Sequence, residues 1–320
     1  MLHEAAPELN EGREESSRIP GLLFRYTKLE YLKPILEGKG LFFPKLSSFN
    51  DPFDAYIFPR LDATKAECLK FYNAILKSSG LSRASRRQRM RENRGRIDDS
   101  LIKEAHTRSI VETRAECGVL CLAESKSDIL MWSHYACGHT GICLAFDTRN
   151  AFSQEARKVI YQTDYPVLSF AWFSEAMTDS LGVNGEEKKG AGHLELERAL
   201  FLTKAAHWKY EAEWRIAKRF PHILRDDENG TYFPFPEESL VGVVLGGNAA
   251  DSAVASVRQW IAAGPLKPQL SRARVSKTEY ALEFFELDRR LTRHTGGLPK
   301  AAGPPGVVFE AERDSHRTEK

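Results

Sequence analysis

Trp208-Lys-Tyr-Glu-Ala-Glu-Trp-Arg-Ile216 alternates strictly, with Lys209, Glu211, Glu213 and Arg215 on one side and Tyr210, Ala212, Trp214 and Ile216 on the other. A period of two identifies a strand with one face in a core, and the expected strand runs over Trp208–Lys218. Two carboxylates and two cations on the other face suit either a solvated surface or a site. A second fragment, Leu22-Leu-Phe-Arg-Tyr-Thr-Lys-Leu-Glu-Tyr-Leu-Lys-Pro-Ile-Leu-Glu-Gly-Lys-Gly-Leu41, reads as a short strand, a helix and a glycine stop. Arg25 alternates with Phe24 and Tyr26, so it points away from the face they occupy.

Around these fragments lie 320 residues with 42% hydrophobic and 10% aromatic content, enough for a sizeable core. A net charge of +2 gives no global attraction for nucleic acid, so any basic function is local. The first residues lack a basic region followed by an apolar run, and no uncharged apolar stretch approaches about 18 residues. The expectation is a soluble, cytoplasmic protein without a membrane partner. Five cysteines, an odd number, argue against a disulfide framework. Cys117 and Cys121 fall four apart on an expected strand, roughly 13 Å from one another, and the denser His134, Cys137, His139 and Cys143 contain no Cys-x-x-Cys pair. No metal is expected.

Residues 1–18 and 292–320 read as disordered tails, and 19–291 as a single domain. Strands are expected at Leu22–Tyr26, Gly40–Pro44, Gly118–Ala123, Gly141–Asp147, Val159–Tyr165, Trp208–Lys218, Leu240–Leu245 and Glu279–Leu287. Helices are expected at Leu29–Glu37, Thr64–Ser79, Ser82–His106, Asp128–Ala136, Leu194–Ala206 and Asp251–Ala263. Without a regular βαβ beat, this order predicts an α+β fold with a mostly antiparallel central sheet and helical insertions over about 64–112 and 172–206.

Four ordered motifs carry a family resemblance: Phe24-Arg-Tyr-Thr27, Ser47-Ser-Phe-Asn-Asp-Pro-Phe-Asp54, Leu130-Met-Trp-Ser-His-Tyr-Ala136 with Gly141-Ile-Cys-Leu-Ala-Phe-Asp147, and Tyr210-Glu-Ala-Glu-Trp-Arg215. Together they resemble the uncharacterised bacterial family DUF2971, over roughly residues 22–247. The opening block also resembles ADP-ribosyltransferases of the DarT and tRNA 2′-phosphotransferase kind. There, a His-x-Thr or Arg-x-Thr strand end runs into a helix ending Ile-Leu-x-x-Gly-Leu. The counterparts here are Arg25-Tyr26-Thr27 and Ile35-Leu-Glu-Gly-Lys-Gly-Leu41.

The distant resemblance implies an ADP-ribosyltransferase-like fold with NAD as substrate. Breaking the nicotinamide–ribose bond builds an oxocarbenium-like cation, which a fixed carboxylate stabilises. Glu213 is expected in that role, with Arg25 as donor to ribose or phosphate and Glu211 orienting the acceptor. Tyr26 and Thr27 accompany Arg25 at the cofactor. The helix Asp128–Ala136 offers Tyr135 for stacking on nicotinamide and Ser133 or His134 for a hydrogen bond, against a plain core-packing role. The family element at this point is a strand, so the central member of the triad stays open among the three. In the loop Ser47–Asp54 either Phe49 and Phe53 pin a structural turn, or Asn50 or Asp51 meets the ligand. His207 reads as structural, and Val241-Gly-Val-Val-Leu-Gly-Gly-Asn248 as a tight strand-to-helix turn.

Seven arginines fall within Arg83–Arg96, among them Arg86, Arg87, Arg89 and Arg91. They read as a solvated insertion or as a contact with nucleic-acid phosphates. The leading expectation is thus an NAD-dependent ADP-ribosyltransferase acting on nucleic acid or protein, in the manner of a toxin or defence effector. The alternative is a catalytically inert nucleic-acid-binding module. A phosphodiesterase-like hydrolase ranks third, because paired metal-ligand motifs are missing.

Overall fold

The alternating Leu22–Thr27 segment forms β1, and Leu32–Leu36 forms the short helix α1 behind a single 3-10 turn. The computed structural model describes residues 18–60, 63–97, 99–180, 190–222 and 228–287. The expected tails, up to residue 17 and from residue 292, lie outside the described residues.

After α1 come β2 (Leu41–Pro44) and β3 (Phe58–Arg60), then three helices, α2 (Lys65–Ser78), α3 (Arg83–Asn93) and α4 (Asp99–Glu116). Next are β4 (Cys117–Ala123), α5 (Ile129–Tyr135), β5 (Ile142–Asp147) and the short strands β6 (Arg157–Lys158), β7 (Ile160–Gln162) and β8 (Val167–Ser169). Helices α6 (Phe170–Ser180) and α7 (Ala191–Phe201) precede β9 (Thr203–Ala205), β10 (Glu213–Arg219) and β11 (Gly230–Phe233). The chain then adds β12 (Leu240–Leu245), α8 (Asp251–Ala263), β13 (Gln269–Val275) and β14 (Leu282–Glu286).

Eight strands build one sheet in the order β14-β13-β12-β5-β1-β4-β10-β6. Its neighbours run antiparallel except β12 and β13. The fold is therefore α+β with a mostly antiparallel central sheet. One face buries Leu23, Leu122, Leu144, Trp214, Ile216, Val243 and Leu245 together with apolar side chains of α1 and α8. The opposite face meets two groups. Phe24, Tyr26 and Ala123 pack with Met131 and Trp132 of α5. Val119 packs with Phe71, Phe170, Phe173 and Leu200 from the helical insertions.

Local chemistry explains several boundaries. Thr64 caps α2 with a reciprocal bond to Glu67, and Asp128 caps α5 by accepting from the Leu130 and Met131 amides at 2.8 and 3.0 Å. The β12–α8 turn closes as expected: the Gly246 amide donates to the Gly141 carbonyl, and a Cβ there would stand 2.0 Å from the His139 carbonyl oxygen.

Other boundaries differ from the sequence expectation. The Trp208–Lys218 strand is only half a strand. Ala206–Glu211 is a 3-10 helix and Ala212 is left-handed at φ 43°, so β10 begins at Glu213. The helix expected over Ser82–His106 is two helices, broken between Asn93 and Asp99 near Gly95, and the one over Leu194–Ala206 stops at Phe201 to give β9. Strand Val159–Tyr165 shortens to Ile160–Gln162, α6 falls in the helical insertion expected over about 172–206, and β13 occurs where no strand was expected.

Candidate functional site

Residues opposite one another in a sheet share a face. Glu213 pairs with Ala123 and Arg215 with Cys121, and Phe24 also pairs with Ala123, so Glu213 and Arg215 lie on the face of α5 and the insertions. There they enter a charged cluster between the two apolar groups of that face. All five N–H groups of Arg215 are used. Nε donates to Glu213 Oε1 (2.8 Å) and Nη2 to Glu213 Oε2 (3.0 Å). The two Nη atoms hold Asp54 in a fork at 2.9 and 2.6 Å, and Nη1 also reaches the Phe201 carbonyl. Lys204 Nζ donates to Glu211 Oε2 (2.5 Å) and Glu213 Oε2 (3.1 Å). The Tyr135 hydroxyl donates to Glu211 Oε1 at 2.6 Å, and the Glu213 amide donates to the Tyr161 hydroxyl oxygen at 2.8 Å.

These charges are not a solvated strand face. Glu211 and Glu213 are each 3% exposed and Arg215 is 1% exposed, while Lys209 of the same run points to solvent. The 3-10 turn and the left-handed Ala212 carry Glu211 out of the strand line and onto Lys204 and Tyr135. Three carboxylates (Asp54, Glu211, Glu213) face two cations (Lys204, Arg215), so with every group ionised the cluster is negative by one charge. Burial pushes the Glu213 carboxyl up, but the Arg215 and Lys204 charges outweigh it and hold the group down at about 2. Glu211 has only Lys204 and the Tyr135 hydroxyl, and burial keeps its carboxyl above the usual range. Lys204 is desolvated, yet the two glutamates drive it above the ordinary lysine value. Burial, reinforced by the Glu213 charge, drives the Cys121 thiol up.

Glu211 is the end of the cluster beneath an aromatic rim. Tyr135 is half-buried over it, the Tyr210 ring lies 6.1 Å from Trp208 and 6.4 Å from His134, and Lys204 Nζ sits 5.1 Å from the Trp208 ring centroid. The backbone here is unusual. The four non-glycine residues with positive φ among the described residues are Ala55, Cys137, His139 and Ala212. Ala55 follows Asp54, Ala212 separates the two glutamates, and Cys137 and His139 follow α5. Strained backbone of this kind accumulates at functional sites.

Several expected assignments change. Arg25 does not meet Glu213: it pairs with Leu144, whose side chain lies on the α1/α8 face, so the sheet itself stands between the two. Tyr26 is a core residue, its hydroxyl donating to the Ser125 carbonyl and its ring edge-on to Trp132. Thr27 stays with Arg25 rather than with the carboxylates. Of the three α5 candidates, Tyr135 is the one bonded to the cluster. Ser133 donates to the Ile129 carbonyl at the exposed surface, and His134 is exposed near Tyr210. In the Ser47–Asp54 loop Asn50 is exposed, Asp51 accepts from the Phe53 amide, and it is Asp54 that reaches the cluster. Phe49 packs inward beneath the Arg215 guanidinium, whereas Phe53 is 59% exposed and pins nothing. His207 is exposed.

Asp54, Lys204 and Tyr161 escaped the sequence reading. Asp54 closed a motif already singled out, but its neighbours have the more familiar turn chemistry. Lys204 and Tyr161 sit on the paired strands β9 and β7, too short to show a period. Arg86, Arg87, Arg89 and Arg91 are all on α3, a helix with no buried residue. All five cysteines are free, and no helix among the described residues is long and apolar enough to cross a membrane.

The family model described as a protein of unknown function (DUF2971) matches residues 131–216. Over that segment the chain is similar to DUF2971 proteins. The match is narrower than the expected span of about 22–247, yet it runs from α5 into β10 and holds Tyr135, Tyr161, Lys204, Glu211, Glu213 and Arg215. The cluster thus lies within the matched segment, with Asp54 contributed from outside it. No curated protein and no solved structure matches the chain.

Proposed function

We propose that the chain cleaves the nicotinamide–ribose bond of NAD and transfers ADP-ribose to a nucleic acid or protein, at the Glu211 end of the buried cluster. The observation that carries this reading is the cluster's excess negative charge beneath aromatic side chains. A low-dielectric site with one uncompensated carboxylate favours positive charge. The substrate brings it twice, as the cationic nicotinamide ring and as the oxocarbenium ion formed when that ring leaves with the bonding electron pair. Tyr210, Trp208 and His134 offer faces for a flat cationic ring. A nucleophile of the acceptor then bonds to the ribose carbon and gives its proton to Glu211, whose raised basicity suits it to that task. Substrate reaches Glu211 once Tyr135 turns aside.

The roles differ from those expected of the sequence. Glu211 is the reacting carboxylate, and Glu213, locked by Arg215 and Lys204, is a positioning residue. Arg25 takes no part at this mouth. The experiment is nicotinamide release from NAD by the purified chain, compared with Glu211→Gln.

A second reading rests on a different observation. Helix α3 buries none of its residues, and Arg83, Arg87 and Arg91 recur every fourth position along one exposed flank. That flank suits phosphate groups, either as the docking surface for a nucleic-acid acceptor or as the working surface of an inert binding module.

A further inference from the structure

On the sheet face opposite Glu213, Arg25 lines a cavity of about 190 Å³ with Thr27, Tyr31, Ile35, Phe42 and Pro44. Arg25 as a residue is half-buried, and its one side-chain bond among the described residues runs from Nη2 to the Phe42 carbonyl at 3.1 Å. No carboxylate of the described residues pairs with it. Burial accordingly lowers its proton affinity, with only weak compensation from Cys121 and Tyr31. Withdrawing a charge from water without a counter-ion is costly, and proteins rarely leave such a charge uncompensated. Arg215 shows the contrast within the same chain, with every donor matched.

The rest of the wall decides what the missing partner is. Tyr31 stacks on Phe42 at 5.9 Å with 17° between the rings, and Ile35 and Pro44 complete an apolar lining. Thr27, at the end of β1, and the Tyr31 hydroxyl are the other polar groups, both uncharged. One cation neutralises one negative charge, and the guanidinium fork matches the two oxygens of a carboxylate. A phosphate dianion would leave a second charge facing apolar walls. The volume lies below the ~300–1,000 Å³ typical of sites for drug-sized ligands, so the occupant is small.

We infer that this cavity is a binding site for a small carboxylate with a flat apolar body, its carboxylate on Arg25 and its body against Phe42 and Ile35. The inference is independent of the NAD reading, since the two sites lie on opposite faces of the sheet.

Benzoate, its uncharged isostere benzamide and inorganic phosphate serve as probes, titrated calorimetrically into the full chain at constant ionic strength. Benzoate is expected to bind at least tenfold more tightly than benzamide, and Arg25→Gln to cut benzoate affinity at least tenfold while leaving benzamide unchanged. Equal affinity for benzoate and benzamide, or no benzoate binding up to ~10 mM, overturns the site. Tighter binding of phosphate than of benzoate overturns the ligand class. The wild-type comparison stands even if Arg25→Gln fails to fold, and Arg25→Lys, which keeps the charge but loses the fork, should then give the same fall in benzoate affinity.

Discussion

The residues of the charged cluster are unequal, and the inequality is testable one side chain at a time. Replacing Glu213 by Gln or Lys204 by Met removes a partner from a buried network, leaving charge uncompensated, and should cost ~3–5 kcal/mol in urea denaturation at pH 7. Glu211→Gln should not, because it takes away the excess negative charge. Its amide can turn the oxygen to Lys204 and the nitrogen to the Tyr135 hydroxyl. A Glu211→Gln protein destabilised as much as Glu213→Gln would contradict this inequality. The pH dependence follows from the directions of the two shifts. The folded state holds Glu213 near 2, below its unfolded value near 4.5, so its contribution is present above about pH 4.5 and disappears as pH falls toward 2. Glu211 is raised in the folded state, so its contribution is present below its unfolded pKa and is lost as pH rises through the folded one. The stability advantage of Glu211→Gln over wild type should therefore widen as pH rises above about 4.5, and a constant difference would count against a raised Glu211. Ala212 adds a backbone test. At φ 43° its Cβ is unfavourable, so Ala212→Gly should be neutral or stabilise by up to ~1 kcal/mol, where glycine in an ordinary strand destabilises.

At the scale of the element, α3 and α5 make separate predictions. Changing Arg86, Arg87, Arg89 and Arg91 to Ser should leave the melting temperature nearly unchanged, since α3 buries no residue. If α3 contacts phosphates, the same variant should lower the salt slope of nucleic-acid binding by up to ~0.9 per lost contact. Unchanged nucleic-acid binding would reduce α3 to a solvated helix. Asp128→Ala removes the cap of a seven-residue helix and should cost ~1 kcal/mol. It should also weaken the seating of Tyr135 at the other end of α5. The same elements show what the sequence made legible. The strand-like runs expected at Leu22–Tyr26, Gly118–Ala123, Gly141–Asp147 and Leu240–Leu245 lie within a residue of four strands that turn out to be neighbours in the sheet. The Asp128 cap and following apolar residues located α5. What periodicity could not reveal was the bend at Ala212, because a 3-10 turn entering a strand can still alternate charged and apolar residues.

Across the whole molecule, the sheet assigns chemistry to its two faces. Glu211 and Glu213 were visible in the sequence as a pair, but their sequestration by Lys204, Arg215 and Asp54 depends on contacts spanning up to 161 positions of chain. The separation of Arg25 from Glu213 was equally hidden, because motif order says nothing about which face each side chain joins. Register decides it: Arg25 stands opposite Leu144, and Glu213 opposite Ala123. Glu211 and Glu213 therefore belong to a charged cluster on one face and Arg25 to a cavity on the other, so no single site holds Arg25 and Glu213 together. On the proposed function, the excess negative charge at Glu211 drives nicotinamide departure from NAD. The most direct test is nicotinamide release measured for wild type and Glu211→Gln, with Arg25→Gln alongside. Wild type should release nicotinamide, Glu211→Gln should lose on the order of 10²-fold or more, and Arg25→Gln should stay within about twofold of wild-type turnover. No release by wild type, or more than half of wild-type turnover in a folded Glu211→Gln protein, would contradict the proposed function.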